Sequence, residues 1–299
     1  MFFNRENDDI ANRIFILTRL KPSTKRIVVS QKNPYSNLVR YFFTKKTVRS
    51  KTMASSSLQA NHGLSWVGIE GGIINGGVGG AEQIWVVNVN NEIFYKPHIA
   101  GNWLAIDGRL SYIAVGAGGH VYGVNSNDDI FYREWASNFE KKGTKWQQID
   151  GKLVQLAVTS YGGVWGVNRQ NSIYYRSGPS GHWEQIDGAL KHIAVGANGD
   201  VWGVNAADEI FHREGSSNTN PKGNSWRKID GKLKCIAVGG HGQVWGVNSA
   251  DQIWFRPGVN GSWKQIEGAL SFVTVAPNGL AFGCNNSGGI FFRQGSVNY

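Results

Sequence analysis

Short apolar runs rich in Val, Ile and aromatic residues, broken at regular spacing by Gly, Asn and Asp clusters, fill the chain from about residue 65 onward. In the stretch that begins at Trp183 the runs cover roughly 183–186, 192–195, 201–205 and 210–213, separated by DGAL, GANGD and AADE. Runs of this kind between turn clusters predict β-strands, and no interval is long enough for a crossover helix. The pattern therefore predicts an all-β chain.

The pattern is also a repeat. A Trp followed by a short run and Ile-acid-Gly occurs at Trp66, Trp103, Trp146, Trp183, Trp226 and Trp263, at intervals of 37, 43, 37, 43 and 37 residues. A second landmark, VWGVN or a variant, ends at Asn88, Asn125, Asn168, Asn205, Asn248 and Asn285; a third, Ile-aromatic-aromatic-base, ends at Lys96, Arg133, Arg176, Arg213, Arg256 and Arg293. Six units of about four strands each predict a six-bladed β-propeller of four-stranded antiparallel blades.

Two further expectations come from the phase. The connections PHIAGN, SGPSGH and PGVNGS are short, while EWASNFEKKGTK and EGSSNTNPKGNS are long. A unit of 80 residues used three times, with pseudo-threefold symmetry, is expected. The first Trp strand (65–70) is isolated and the last copy stops after its Arg strand, so 65–70 is expected to complete the last blade and close the ring, leaving no open edge.

Charge separates the first 52 residues from the remainder. The chain carries +10, but residues 1–52 hold 12 Lys/Arg against 3 acids, and residues 53–299 hold 19 against 18. A nearly neutral repeat region argues against a nucleic-acid partner. Residues 1–52 carry no repeat, and three readings stay open: a translated extension missing from the mature protein, a disordered basic arm, or a poor transit peptide. Residues 53–299 form the propeller domain. No run nears the ~18 apolar residues of a membrane span, and the apolar core Ile14-Phe15-Ile16-Leu17 is shorter than the ~7–15 residues of a secretory leader, so membrane insertion is not expected and a cytoplasmic protein is. Glycine, at 40 residues, fits many tight turns, and Cys235 and Cys284 read as buried free thiols.

Catalytic and metal chemistry find no support in the pattern. The acids Glu70, Asp107, Asp150, Asp187, Asp230 and Glu267 all precede Gly at one repeat position, which turn chemistry explains and which spreads them round a ring. The histidines share no repeat position or ligand spacing, and the Gly pairs lack a following helix to cradle phosphate. No catalytic residue, metal or cofactor is predicted.

Recognition chemistry is better represented. The Trp66 series reads as wedges between blades. A second aromatic series lies inside VWGVN, at Trp85, Tyr122, Trp165, Trp202, Trp245 and Phe282, opposite a Gly that admits a close neighbour: an adjoining strand or a ligand. An apolar plane, an amide and a guanidinium suit sugars. The candidate carbohydrate contacts are Tyr122, Trp165, Trp202 and Trp245, with Asn125, Asn168, Asn205 and Asn248 and with Arg133, Arg176, Arg213 and Arg256.

The whole motif, clearest in WEQIDGALKHIAVGANGDVWGVNAADEIFHR (183–213), resembles the tectonin repeat across about 65–293. The resemblance implies a six-bladed lectin for surface glycans of microbes or parasites, with O-methylated mannose and fucose and a nematotoxic, innate-defence role in fungal members. Other members imply lipopolysaccharide or N-acetylglucosamine instead, and animal relatives often carry secretion leaders and extra cysteines. The missing leader and cysteines favour the fungal, cytoplasmically stored type. The first copy (Lys96 for Arg), the last (AFGCN) and the third (Thr159-Ser160-Tyr161) depart from the motif, and are expected to have lost their sites. A second expectation is a protein-interaction scaffold using loops 134–145 and 214–225, which carry Trp135, Phe139 and Lys141-Lys142; homo-oligomerisation stays open. A propeller glycosidase is the third and weakest.

Overall fold

The computed structural model describes residues 63–294, and the reading of residues 1–52 falls outside them. The described residues contain strands and turns and no helix. Strand β1 (Ser65–Ile69) is followed by blade 1, made of β2 (Asn75–Val78), β3 (Ile84–Val87), β4 (Glu92–Lys96) and β5 (Leu104–Arg109). Blade 2 is β6 (Tyr112–Val115), β7 (Val121–Val124), β8 (Asp129–Arg133) and β9 (Trp146–Lys152); blade 3 is β10 (Gln155–Val158), β11 (Val164–Val167), β12 (Ser172–Arg176) and β13 (Glu184–Ala189). Blade 4 is β14 (His192–Val195), β15 (Val201–Val204), β16 (Glu209–Glu214) and β17 (Ser225–Lys232); blade 5 is β18 (Cys235–Val238), β19 (Val244–Val247), β20 (Gln252–Arg256) and β21 (Lys264–Ala269). Blade 6 holds β22 (Phe272–Val275), β23 (Ala281–Cys284) and β24 (Ile290–Gln294), and takes β1 as its fourth strand.

All six sheets are antiparallel, five of them meanders and the sixth completed by β1, and the first strands of consecutive blades touch in a closed cycle from β2 through β22 and back to β2. The predicted clasp is present: β1 pairs with β24 over five residues, from Ser65↔Gln294 to Ile69↔Ile290. A six-bladed propeller therefore follows both from the repeat and from the strand pairing. One local expectation is corrected. The acid-Gly pair does not turn between strands; it bulges out of the outer strand, where Ile93 pairs with Ile106 and Glu92 with Arg109, leaving Asp107 and Gly108 unpaired. The same register shift recurs in blades 2 to 5. A bulge of this kind re-aims a side chain, here toward the next blade.

Hairpins explain the repeated Asn. Asn168 Oδ1 accepts from the N–H groups of Gln170 and Ser172, and the turn ends on Asn171 with φ of 64°. Asn and Asp tolerate that left-handed conformation better than other side chains, because their short polar groups bond locally. The repeated Gly after the buried aromatic also has a definite neighbour. An added Cβ at Gly123, Gly166, Gly203 or Gly246 would collide with Leu110, Leu153, Leu190 or Leu233 respectively, so a leucine of the same blade's entry segment is what approaches.

One repeat position is not repetitive. The first residues of the innermost strands are Asn75, Tyr112, Gln155, His192, Cys235 and Phe272, six residue types round the central axis. Gln155 Nε2 donates to the Tyr112 hydroxyl (3.1 Å) and the Ile193 carbonyl (2.8 Å), Tyr112 meets His192 and Phe272 edge-on, and Cys235 Sγ lies 3.6 Å from His192 Nε2. Burial, aided by the charge of Lys191, lowers the His192 pKa to about 4, and burial pushes the Cys235 thiol up to about 12. His192 is thus neutral in the folded ring, whereas the unfolded chain takes up its proton near pH 6.5. The unfolded state binds more protons between those values, so stability falls as pH drops through that window, by on the order of 3 kcal/mol. Urea unfolding at pH 7 and pH 4 checks this: His192→Gln is expected to lose less stability on acidification than the wild type.

Candidate functional site

The Trp66 series and the acid-Gly bulge together clamp neighbouring blades. All six Trp Nε1 groups donate to the backbone carbonyl of the bulge acid in the preceding blade, at 2.8–3.0 Å: Trp66 to Glu267, Trp103 to Glu70, Trp146 to Asp107, Trp183 to Asp150, Trp226 to Asp187 and Trp263 to Asp230. The acid side chains receive the arginines. Arg133 reaches Asp107 at 2.8 Å, Arg213 Asp187 at 2.7 Å, Arg256 Asp230 at 2.9 Å and Arg293 Glu267 at 2.6 Å, and Arg176 bonds Asp150. Each guanidinium also lies 5.2–5.5 Å from the ring centre of the Trp in its own blade. The Arg176 hydrogen bond holds the Asp150 carboxyl below the usual carboxylate range.

This geometry corrects most of the expected contacts. Trp165, Trp202, Trp245 and Tyr122 are 0% exposed, packed against the second aromatic of the adjoining strand (Tyr175, His212, Phe255 and Tyr132), and cannot offer a face to a sugar. They are core. Arg133, Arg176, Arg213 and Arg256 are buried between an acid and a Trp, so their planar forks serve the blade junctions. Asn125 and Asn205 use both ends of the amide inside their own hairpins, with Nδ2 on Asp129 and Glu209. Of the twelve expected contacts, Asn168 and Asn248 line an open cleft.

That cleft lies between blades and is built on the series assigned to packing. Between blades 2 and 3 it is lined by Gly151, Lys152, Leu153, Asn168, Tyr174 and Trp183, with about 550 Å³ of empty space. Adding 80 to each number gives the cleft between blades 4 and 5, with Trp254 and Trp263 as the aromatic pair and about 490 Å³. Subtracting 80 gives the junction of blades 6 and 1, with Phe94 and Trp103 and about 420 Å³. Gly151 (φ 98°) keeps the floor open: an added Cβ would stand 2.8 Å from Trp183 Nε1. Asn168 Nδ2 has no partner among the described residues, whereas Asn88 and Asn248 donate to Glu92 and Gln252. The first copy, expected to have lost its site, keeps this cleft.

All three clefts follow the short connections, which is where the pseudo-threefold expectation meets the site. In β9, β17 and β1 the Trp joins the ladder, opposite Arg133, Arg213 and Arg293, and its ring meets the buried Trp of the preceding blade edge-on at 6.0–6.4 Å. In β5, β13 and β21 the ladder starts one residue later, at Leu104, Glu184 and Lys264. Six-residue connections, tied in two of these blades by Arg176 to the Gly178 and Pro179 carbonyls and by Arg256 to those of Gly258 and Val259, turn too tightly for the Trp to pair. Connection length was visible in the sequence; its effect on whether the Trp joins the ladder was not.

Comparisons with known proteins agree on the architecture. The chain is similar in structure to a protein of unknown function from Bacteroides thetaiotaomicron (TM-score 0.55, 8% identity, 76% of this chain and 71% of that one). It is also similar to a chain of a mitotic checkpoint complex (0.54, 8%, 84% and 99%) and to a streptogramin B lyase (0.52, 12%, 76% and 96%). At these identities the likeness concerns the fold alone. A search of curated protein sequences finds no match. The tectonin domain model matches residues 50–231 and again 138–299, so this chain belongs to the tectonin family.

Proposed function

We propose that the protein is a multivalent lectin whose sugar sites are the clefts at Trp103, Trp183 and Trp263. The observation that carries this reading is the threefold recurrence of a half-buried aromatic pair over a Gly floor, beside an Asn amide. Aromatic faces take the C–H side of a pyranose. At the blade 2–3 cleft the Asn168 Nδ2 is left to donate to a hydroxyl, whereas Asn88 and Asn248 use both amide ends in their own hairpins. The cleft walls are largely apolar, so an O-methylated sugar gains about 0.8 kcal/mol for each methyl buried. Single sites of this kind bind weakly, but linked sites raise avidity by about 10²–10⁴ on a dense glycan surface. A role against microbes or parasites follows from that preference for surfaces.

Calorimetry with a methylated monosaccharide, chosen from an array that carries methylated glycans, is the test. Three sites per chain are expected, two in Trp183→Ala, and none in the triple Trp103→Ala/Trp183→Ala/Trp263→Ala variant. A triple variant that binds like the wild type sinks the proposal.

A second reading, a docking platform for another protein, draws on Trp135. It is 73% exposed and holds φ of 62°, where the sister loop carries Gly215, and such strain in a bulky residue points to use. Capture of a partner that survives competing sugar, and is lost in Trp135→Gly, favours it.

A further inference from the structure

A Gln side chain that two odd-numbered blades bury is missing from the third, and the gap keeps the polar groups that the Gln satisfies. In blade 1, Gln83 is fully buried; its Oε1 accepts from the Ala81 N–H (3.0 Å) and its Nε2 donates to Asn138 Oδ1 (3.2 Å). Blade 5 repeats the first bond, from the His241 N–H to Gln243 Oε1 at 3.0 Å. Gly79 and Gly239 make room: an added Cβ at either would stand 2.5–2.6 Å from the carboxamide.

Blade 3 reverses both positions. Thr159 stands where the Gly is expected and Gly163 where the Gln is. Thr159 Oγ1 turns to accept the Gly163 N–H at 2.9 Å and replaces neither carboxamide bond. The remaining frame is unchanged: Asn218 Nδ2 donates to the Ala197 carbonyl at 2.8 Å, as Asn138 does to Ala117 at 2.9 Å. Asn218 Oδ1 is buried without a partner. The Tyr161 N–H, counterpart of Ala81, has none among the described residues. Residues Tyr161 and Asn218 line a cavity of about 80 Å³ with Thr159, Gly163, Tyr175 and Ser217.

We propose that this cavity is a binding site for a carboxamide, whose oxygen accepts from the Tyr161 N–H and whose N–H donates to Asn218 Oδ1. A buried acceptor left unpaired costs about 1–3 kcal/mol, and a group that supplies both bonds recovers it. Charge is unwelcome there, since nothing lining the cavity is ionic at neutral pH. The exposed Tyr161 ring sits at the mouth, where the body of a larger ligand rests. This site is separate from the Trp clefts and stands or falls without them.

Propionamide, which has the shape of the missing side chain, is the probe, and the Tyr161 backbone amide resonance is the readout. Saturable shifts are expected for propionamide, with binding at least about tenfold weaker for 2-butanone and for propionate, which lack the N–H donor. The variant Thr159→Gly/Gly163→Gln refills the cavity as blade 1 does, and is expected to lose the propionamide response and to melt at a higher temperature. N-acetylglucosamine against glucose, and glutamine against glutamate, separate a sugar source from an amino-acid source; preference in either pair supports the site and names the source. An unperturbed Tyr161 resonance, equal response to 2-butanone, preference in neither pair, or an unchanged response in the double variant overturns the proposal.

Discussion

A chain that begins at Ile73, and so lacks β1, is expected to lose cooperative unfolding altogether, whereas a chain that begins at Met53 is expected to melt as the full-length protein does. Strand β1 is one quarter of blade 6, but it fastens both ends of the ring. Its five pairs with β24 cover an edge that would otherwise be open, and Trp66 bonds the Glu267 carbonyl of blade 5 while meeting Trp245 edge-on at 6.0 Å. Losing a fully buried Trp costs about 3–5 kcal/mol, and half-buried Trp66 accounts for part of that. With the β24 edge exposed as well, the total approaches the 5–15 kcal/mol that holds a typical domain folded. Thermal unfolding followed by circular dichroism, with light scattering to detect edge-to-edge association, compares the two truncations. A cooperative transition in the shorter chain, close to that of the longer one, would show that the clasp is dispensable.

Trp202→Ala is expected to destabilise the ring by about 5 kcal/mol, at the upper end of the range for a buried Trp. Besides leaving a cavity in a side chain's place that water does not reach, it removes the donor to Asp200 Oδ2 at 2.9 Å. Asp200 then keeps only His212, which lies 2.6 Å from its other oxygen. Trp165→Ala and Trp245→Ala are milder controls, because their Nε1 groups are buried without acceptors and no partner is orphaned. Trp183→Ala tests the opposite property: a half-buried ring whose loss costs less stability and, on the proposed function, one third of the sugar sites. Chemical unfolding of the four variants beside sugar calorimetry separates the two Trp series. Comparable stability losses for Trp202→Ala and Trp183→Ala would remove the distinction between core and cleft.

The architecture was legible because a propeller repeats its blade in sequence as well as in space. Landmarks spaced 37 and 43 residues apart led to blade number, strand order, the clasp and the 80-residue pair, each of which the structure contains. The site was far less legible. Two Trp series keep equally strict spacing, at Trp183 and at Trp165 for instance, and spacing records that a position is constrained without recording by what. Arg176 was read as a free fork for hydroxyls, but a guanidinium at that position faces an acid from one blade and a Trp from its own. The Thr159-Ser160-Tyr161 departure, read as the loss of a site, opens a cavity once Gly163 is seen to occupy the place of a Gln.

Local chemistry written along the chain determined the strands, the turns, the number of blades and the near-neutral charge of the ring, since each depends on neighbours a few residues or one repeat away. Which aromatic series is core and which stays half-exposed depended on contacts between blades, where an acid-Gly bulge, a buried Arg and a Trp meet. Those partners lie 26 to 39 residues apart in sequence and, at the clasp, 201 apart. Exposure is a property of the closed ring, because only closure brings the outer strand of one blade against the aromatic strand of the next.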